Sequence, residues 1–289
     1  MNHDDPDLLP DDALKGVTVG ISVSDSSDLG RLGLDSRHAE LVVGEIARAI
    51  LIAGGTLAYG GRLRPSGFTQ QIMNEVRRFG TARHSLNLYL AFVEHRHLSR
   101  DELDRIDREL GTWGSLITLD KYGDPTDWRS STPSEEPLPD DERAASYSAL
   151  RHHMASRING RILVGGQLRG YRGIMPGLVE EAILAVQHRQ PIYLAGGFGG
   201  AAAAVARRLS PSSFAWLPAD LPEGEDDPDV RAALDSLEAL VTRTGWTIAG
   251  DGLTPEQRAL LEASHRPGEI ASLCAVGLAT KFTRHEGQG

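Results

Sequence analysis

Val17-Thr18-Val19-Gly20-Ile21-Ser22-Val23-Ser24 is short, β-branched and mostly apolar, the pattern of a strand buried on both faces. A polar loop, Asp25-Ser26-Ser27-Asp28-Leu29-Gly30, comes next. Residues 36–53 then carry Val42, Ile46, Ala49, Ile50 and Ala53 at helical spacing, which gives one buried face. Gly54-Gly55 stops that helix, and Thr56-Leu57-Ala58-Tyr59 reads as a second strand running into Gly60-Gly61. Residues 17–60 are therefore strand, helix, strand: one βαβ unit.

The same alternation continues outward from this unit. A helix is expected around Ile72, Met73, Val76 and Phe79, and a strand over 85–93. Ser99 and Glu102 form a capping box that opens a helix ending near Leu110, and 115–119 is a short strand. Residues 122–142 are rich in Pro, Ser, Asp and Glu and read as a surface loop. A helix over about 142–157 leads to the strand Arg161-Ile162-Leu163-Val164, which ends at Gly165-Gly166. Further on lie a helix over 178–186, a strand over 191–194 and a helix over 201–209. Asp227-Pro228 and Thr254-Pro255 start helices in a C-terminal tail. Three segments are expected: an acidic flexible arm over 1–15, an α/β domain over 16–218, and an acidic linker with a helical tail over 219–289 that packs on the core. Alternating strands and helices give a mostly parallel sheet with helices on both faces. In such a sheet ligands bind at the strands' C-terminal ends.

Composition narrows the function. Of 289 residues, 30 are Lys or Arg and 40 are Asp or Glu, for a net charge of −10. That disfavours broad nucleic-acid binding, which relies on a basic face, and leaves room for a local basic pocket. Cys274 is the single cysteine, so no disulfide framework or Cys-rich zinc site is expected, and its apolar neighbours make it a buried side chain. The longest apolar runs, such as 41–43 and 201–206, are far short of the ~20 residues of a membrane span. The N-terminus is acidic and carries no signal-peptide pattern, so a cytoplasmic protein without membrane contact is expected. There are 32 glycines, above the usual ~7%, and they gather at strand ends.

Four clusters result. Ser22, Ser24 and Asp25 form either an anion nest or an ordinary strand-end turn. Gly60, Gly61, Arg62, Arg64, Gly67 and Thr69 combine close backbone approach, guanidinium forks and a helix start. The bland alternative there is a Gly/Pro connection with two solvated arginines. Gly165 and Gly166 precede Arg169, Tyr171, Arg172, Pro176 and Gly177, with Glu180 and Glu181 in the first turn of a helix. A carboxylate there can accept from ribose hydroxyls, act as general acid or base, or simply match the helix dipole. Gly197, Phe198 and Gly199 lie in the last cluster, Gly196–Gly200. A Gly-rich run is weak by itself, no acidic residue follows at the dinucleotide-binding distance, and Phe198 either stacks on a base or belongs to the core. Adjacent His152 and His153 cannot share a helical face, and no Gly-x-Ser-x-Gly elbow or Walker A motif occurs. No metal or resident cofactor is expected.

Together, Val19–Ser24, Leu57–Gly61 with Arg64 and Gly67–Thr69, and Met175-Pro176-Gly177-Leu178-Val179-Glu180-Glu181-Ala182 resemble the SLOG superfamily. This Rossmann-like group includes the cytokinin-activating LOG phosphoribohydrolases, the DprA/Smf proteins and the N-terminal domain of TRPM channels. The resemblance covers roughly residues 15–210 and is nearest to prokaryotic SLOG domains found with TIR or other effector domains. It implies a Rossmann-like fold and a sensor of a nucleotide or NAD-derived nucleotide in a defence or stress system. A homo-oligomer or an effector protein would be its partner. LOG enzymes carry Pro-Gly-Gly-x-Gly-Thr-x-x-Glu and an arginine on the preceding helix. Pro176-Gly177 with Glu180 or Glu181 takes the comparable place, Arg151 or Arg157 stands for the arginine, and Gly-Gly-x-Gly-Thr is absent. The alternative is thus a LOG-like phosphoribohydrolase that cleaves the N-glycosidic bond of a nucleoside 5′-monophosphate.

Overall fold

The computed structural model describes residues 9–63, 67–80 and 83–286. In chain order the elements are β1 (Thr18–Ser24), α1 (Ser36–Ile52), β2 (Thr56–Gly60), α2 (Phe68–Phe79), β3 (Leu86–Leu90), α3 (Phe92–His95), α4 (Arg100–Leu110) and β4 (Gly114–Leu119). They continue with β5 (Pro125–Thr126), α5 (Asp140–Ala155), β6 (Gly160–Gly165), α6 (Gly177–Gln187) and β7 (Ile192–Ala195). The last four are α7 (Gly200–Leu209), α8 (Pro228–Thr244), α9 (Pro255–Ala263) and α10 (Pro267–Glu286).

The strands form a seven-stranded sheet in the order β5-β4-β3-β2-β1-β6-β7. All pairings are parallel except that of the two-residue edge strand β5 with β4. From β1 the chain steps outward through β2, β3 and β4, then crosses by α5 to the far side of β1 for β6 and β7. The direction of winding therefore reverses between β1 and β6, which is where a sheet of this kind opens a crevice at its carboxyl ends. The fold is α/β and Rossmann-like, with helices on both faces and C-terminal helices.

Alternation of side chains along each strand feeds the two faces. Val19, Ile21, Leu57, Ile162 and Val164 share a core with α1, α2 and α4. Leu163, Ile192 and Leu194 pack with α6, α7 and α8. Ala58, Tyr89 and Ala91 meet Leu150 and Met154 of α5. Helix α1 buries Val42, Val43, Ile46, Ala47, Ile50 and Leu51. Each such branched side chain contributes about 1.5–3 kcal/mol by leaving water. Capping boxes at Ser99/Glu102 and Thr254/Gln257 start α4 and α9 where the sequence places them.

The structure departs from the sequence reading in three places. The strand expected over 85–93 ends at Leu90, because the chain turns into α3. The 122–142 loop contains β5, and α5 already begins at Asp140, with Asp140, Asp141 and Glu142 matching its N-terminal dipole. In the acidic arm, residues 1–8 lie outside the described residues. From Asp11 the chain is anchored: Leu14 is fully buried and its amide donates to the Ala53 carbonyl at 2.7 Å. In the C-terminal tail, Ile270, Cys274 and Leu278 of α10 pack into the α1 side of the sheet. No helix among the described residues is long and apolar enough to cross a membrane.

Candidate functional site

A cleft of about 580 Å³ opens at the carboxyl ends of β1, β2 and β6, at the winding reversal. Ser22, Ser24 and Asp25 come from the end of β1, and Gly60 and Gly61 from the end of β2. Gly67 and Thr69 sit at the start of α2, and Gly177 and Glu181 on α6. Arg64 lies outside the described residues. Arg62 lines the cleft, and its Nη1 is buried with no hydrogen-bond partner among the described residues.

Two helices point their N-termini here with no side chain capping them: α2, whose N-cap is Gly67, and α6, whose N-cap is Pro176. The orphan amides and the positive end of the dipole favour an anion at each. Thr69 donates its hydroxyl to the Arg62 carbonyl at 2.7 Å, tying the β2–α2 turn to its helix. Burial, opposed by a hydrogen bond with Thr69, pushes the Tyr59 hydroxyl above its usual range, so it stays protonated.

The adjacent glutamates separate cleanly. Glu180 is buried and does not line the cleft; it accepts from Ser148 and from Arg151 of α5. Glu181 does line the cleft, and its Oε1 meets Arg161 Nη1 at 2.9 Å. Arg161 lies on β6 and is completely buried; the same Nη1 donates to Ser22 Oγ at 2.9 Å. Arg151 faces the cleft, whereas Arg157 is exposed beyond the end of α5. A Cβ on Gly177 would stand 2.5 Å from Arg151 Nη2, and one on Gly173 2.6 Å from Nη1. These two glycines therefore make room for a guanidinium of this chain. Beyond them the cleft wall carries Tyr147, whose hydroxyl donates to Glu94, together with Tyr171 and Arg172.

Several expected site residues are elsewhere. Phe198 is fully buried in the core beside His265, so it cannot stack on a base. Gly197 faces α9, where a Cβ would lie 2.3 Å from the Ser264 carbonyl. Gly199 packs against Asp28, whose Oδ2 accepts from the Gly200 amide at 2.6 Å. Asp28 is fully buried, and its Oδ1 accepts from the Glu223 amide at 2.9 Å. The N-terminus of α7 is thus already occupied by a carboxylate of the chain itself. Gly165 and Gly166 adopt φ of +62° and +99° and lie against Ser24, Leu178 and Ala201, shaping the turn rather than the cleft. Pro176 sets the entry to α6 without lining the cleft. His152 is exposed, while the His153 ring packs on Tyr89 at 5.5 Å.

The family model described as SLOG cluster2 matches residues 13–243. The chain belongs to the SLOG superfamily. No curated protein matches it. The SLOG match spans every strand of the sheet and the whole cleft and ends within α8, so α9 and α10 lie beyond it. As a SLOG domain it is a Rossmannoid module of the nucleotide-related kind. Arg161, Glu94 and Tyr147, which the sequence reading passed over, belong to this cleft or its floor. Arg161 sits in an ordinary-looking strand, and only β1–β6 pairing brings it beneath Ser22.

Proposed function

We infer that this SLOG domain binds a phosphorylated riboside, a nucleotide or a nucleotide derived from NAD, and serves as a signal-binding module in a defence or stress system. One observation carries the reading: two uncapped helix N-termini, Arg62 with an unused buried donor, and the Glu181 carboxylate converge on one cleft. Phosphate suits the α2 end, where the helix amides carry no side-chain cap and Arg62 supplies charge-assisted donors. Ribose hydroxyls suit the carboxylate acceptor. The bound state is read out by a second copy of the chain or by a separate effector protein.

A hydrolase reading is favoured by one further arrangement, the Arg151–Glu180 pair beside Glu181. In that reading water adds to the anomeric carbon as the N-glycosidic bond breaks, the base leaves with a proton, and Glu181 either stabilises the oxocarbenium-like ribose or acts as the acid or base that moves the proton.

Thermal unfolding against AMP, ADP-ribose and NAD, with product analysis on the same samples, separates the two. A ligand at 100 times its dissociation constant adds about 2.7 kcal/mol to stability and raises the midpoint. A raised midpoint with ligand recovered intact supports the signal-binding module; release of free base supports the hydrolase. Arg62→Ala should weaken binding about tenfold or more without lowering the midpoint of the free protein. No midpoint shift and no release of free base with any of the three would overturn both readings.

A further inference from the structure

Arg161 is the largest fully buried side chain among the described residues, and stability does not explain it. Its Nε and Nη2 have no hydrogen-bond partner among the described residues. A buried guanidinium with two idle donors is costly, and a hydrophobic side chain of similar volume in a matching pocket is often at least as stable. Arg161 pairs in register with Gly20 of β1, where a Cβ would collide with Ile158 Cδ1 at 2.7 Å and only touch the Arg161 guanidinium carbon at 3.7 Å. The one nitrogen that is used, Nη1, reaches two groups of the cleft at once, Ser22 Oγ and Glu181 Oε1, each at 2.9 Å.

We propose that Arg161 is a positioning residue that sets the hydrogen-bonding polarity of the cleft floor, so that the floor recognises a sugar hydroxyl rather than a phosphate. Ser22 Oγ accepts from Arg161, so the serine's own proton must point elsewhere, and no protein acceptor takes it among the described residues. Ser22 therefore presents a donor to the cleft. Glu181 spends Oε1 on Arg161 and presents Oε2 as an acceptor. A group seated between them must accept from one and donate to the other. A hydroxyl does both, whereas a phosphate dianion has no proton to give to Glu181 and is repelled by it. The phosphate of the ligand is thereby directed away from the floor, toward the N-terminus of α2. This assignment rests on the proposed binding of a phosphorylated riboside.

The test is the preference for ribo- over 2′-deoxyribo-ligands, read by calorimetry with AMP against 2′-deoxy-AMP and with ribose 5-phosphate against 2-deoxyribose 5-phosphate. In the wild type, loss of the hydroxyl should weaken binding about tenfold or more in at least one pair. Arg161→Met should erase most of that preference, and Arg161→Lys, which keeps the charge and N–H donors on a shorter, unforked side chain, should restore part of it. Ser22→Ala keeps the buried ion pair and serves if Arg161→Met fails to fold; it too should reduce the preference. A purely structural role for Arg161 would lower the melting midpoint and leave the ratio unchanged, which overturns the proposal. Nucleotide binding without hydroxyl preference overturns the role of Arg161 while the nucleotide reading stands. Hydroxyl preference among the sugar phosphates with no binding of AMP does the reverse. No binding of any probe overturns both.

Discussion

Two glycine-rich turns leave this sheet at its carboxyl edge, one after β2 and one after β7. Each precedes a helix. Both carry several glycines ahead of a helix N-terminus. Yet the turn at Gly196–Gly200 is closed from within: Asp28 holds the first amide of α7, and α9 lies against Gly197. Among the described residues after β2, by contrast, no side chain caps α2, and Arg62 lines the cleft beside it. Glycine at a helix start therefore signals that an anionic group fits there, and says nothing about whether that group belongs to a ligand or to the chain.

The comparison breaks most visibly at Asp28. Asp28→Ala leaves the Gly200 and Glu223 amides without their acceptor and should lower stability by about 3 kcal/mol in chemical denaturation. Inorganic phosphate should then raise the midpoint of the variant more than that of the wild type, because the α7 terminus has become available. An unchanged denaturation midpoint would show that Asp28 is not what fills this turn.

Paired glycine replacements sharpen the contrast. Gly200 has φ of +57°, and a Cβ there would lie 2.1 Å from the Gly166 carbonyl, so Gly200→Ala should cost about 3 kcal/mol through backbone strain and collision. At Gly177 the obstacle is the movable end of Arg151, so Gly177→Ala should cost about 1 kcal/mol or less and instead reduce ligand affinity. Equal losses of stability at the two positions would remove the distinction between a closed turn and an open site.

The smallest expected effect concerns pH. Burial, with the hydrogen bond to Glu94 adding to it, pushes the Tyr147 hydroxyl up to about 12. The folded protein thus keeps this proton after the unfolded chain has lost its own. The associated stabilisation is whole below the ordinary tyrosine value of about 10 and is lost as pH rises toward 12. Tyr147→Phe should flatten that part of the stability curve. Titration of Tyr147 itself leaves ligand affinity unchanged between pH 6 and 9. An alkaline slope identical in Tyr147→Phe and wild type would assign the effect to other groups.

Most of the fold is written locally. Helical spacing in α1 and the β-branched run of β1 each declare themselves within a few residues, and capping boxes mark the starts of α4 and α9. The short elements α3 and β5 do not, since four residues and two carry too little periodicity. The site was legible as a set of strand ends: Ser22, Gly61, Thr69 and Glu181 do meet in one cleft. What the sequence hides is occupancy. Asp28 and Gly200 are 172 residues apart, so the closing of the β7 turn depends on tertiary packing. The division of labour between Glu180 and Glu181 also depends on it, because each answers to an arginine on a different element.

The Asp28 carboxylate has a consequence for motion as well. Its two oxygens hold the amides of Gly200 and Glu223, in segments far from Asp28 in the chain. Neither amide can meet solvent without breaking its bond to that one buried side chain. Their exchange with deuterated water is therefore governed by a shared opening, in which the start of α7 and the strap leading to α8 loosen together. Asp28 lies three residues beyond Asp25 on the cleft wall, so that opening borders the place where a ligand would sit.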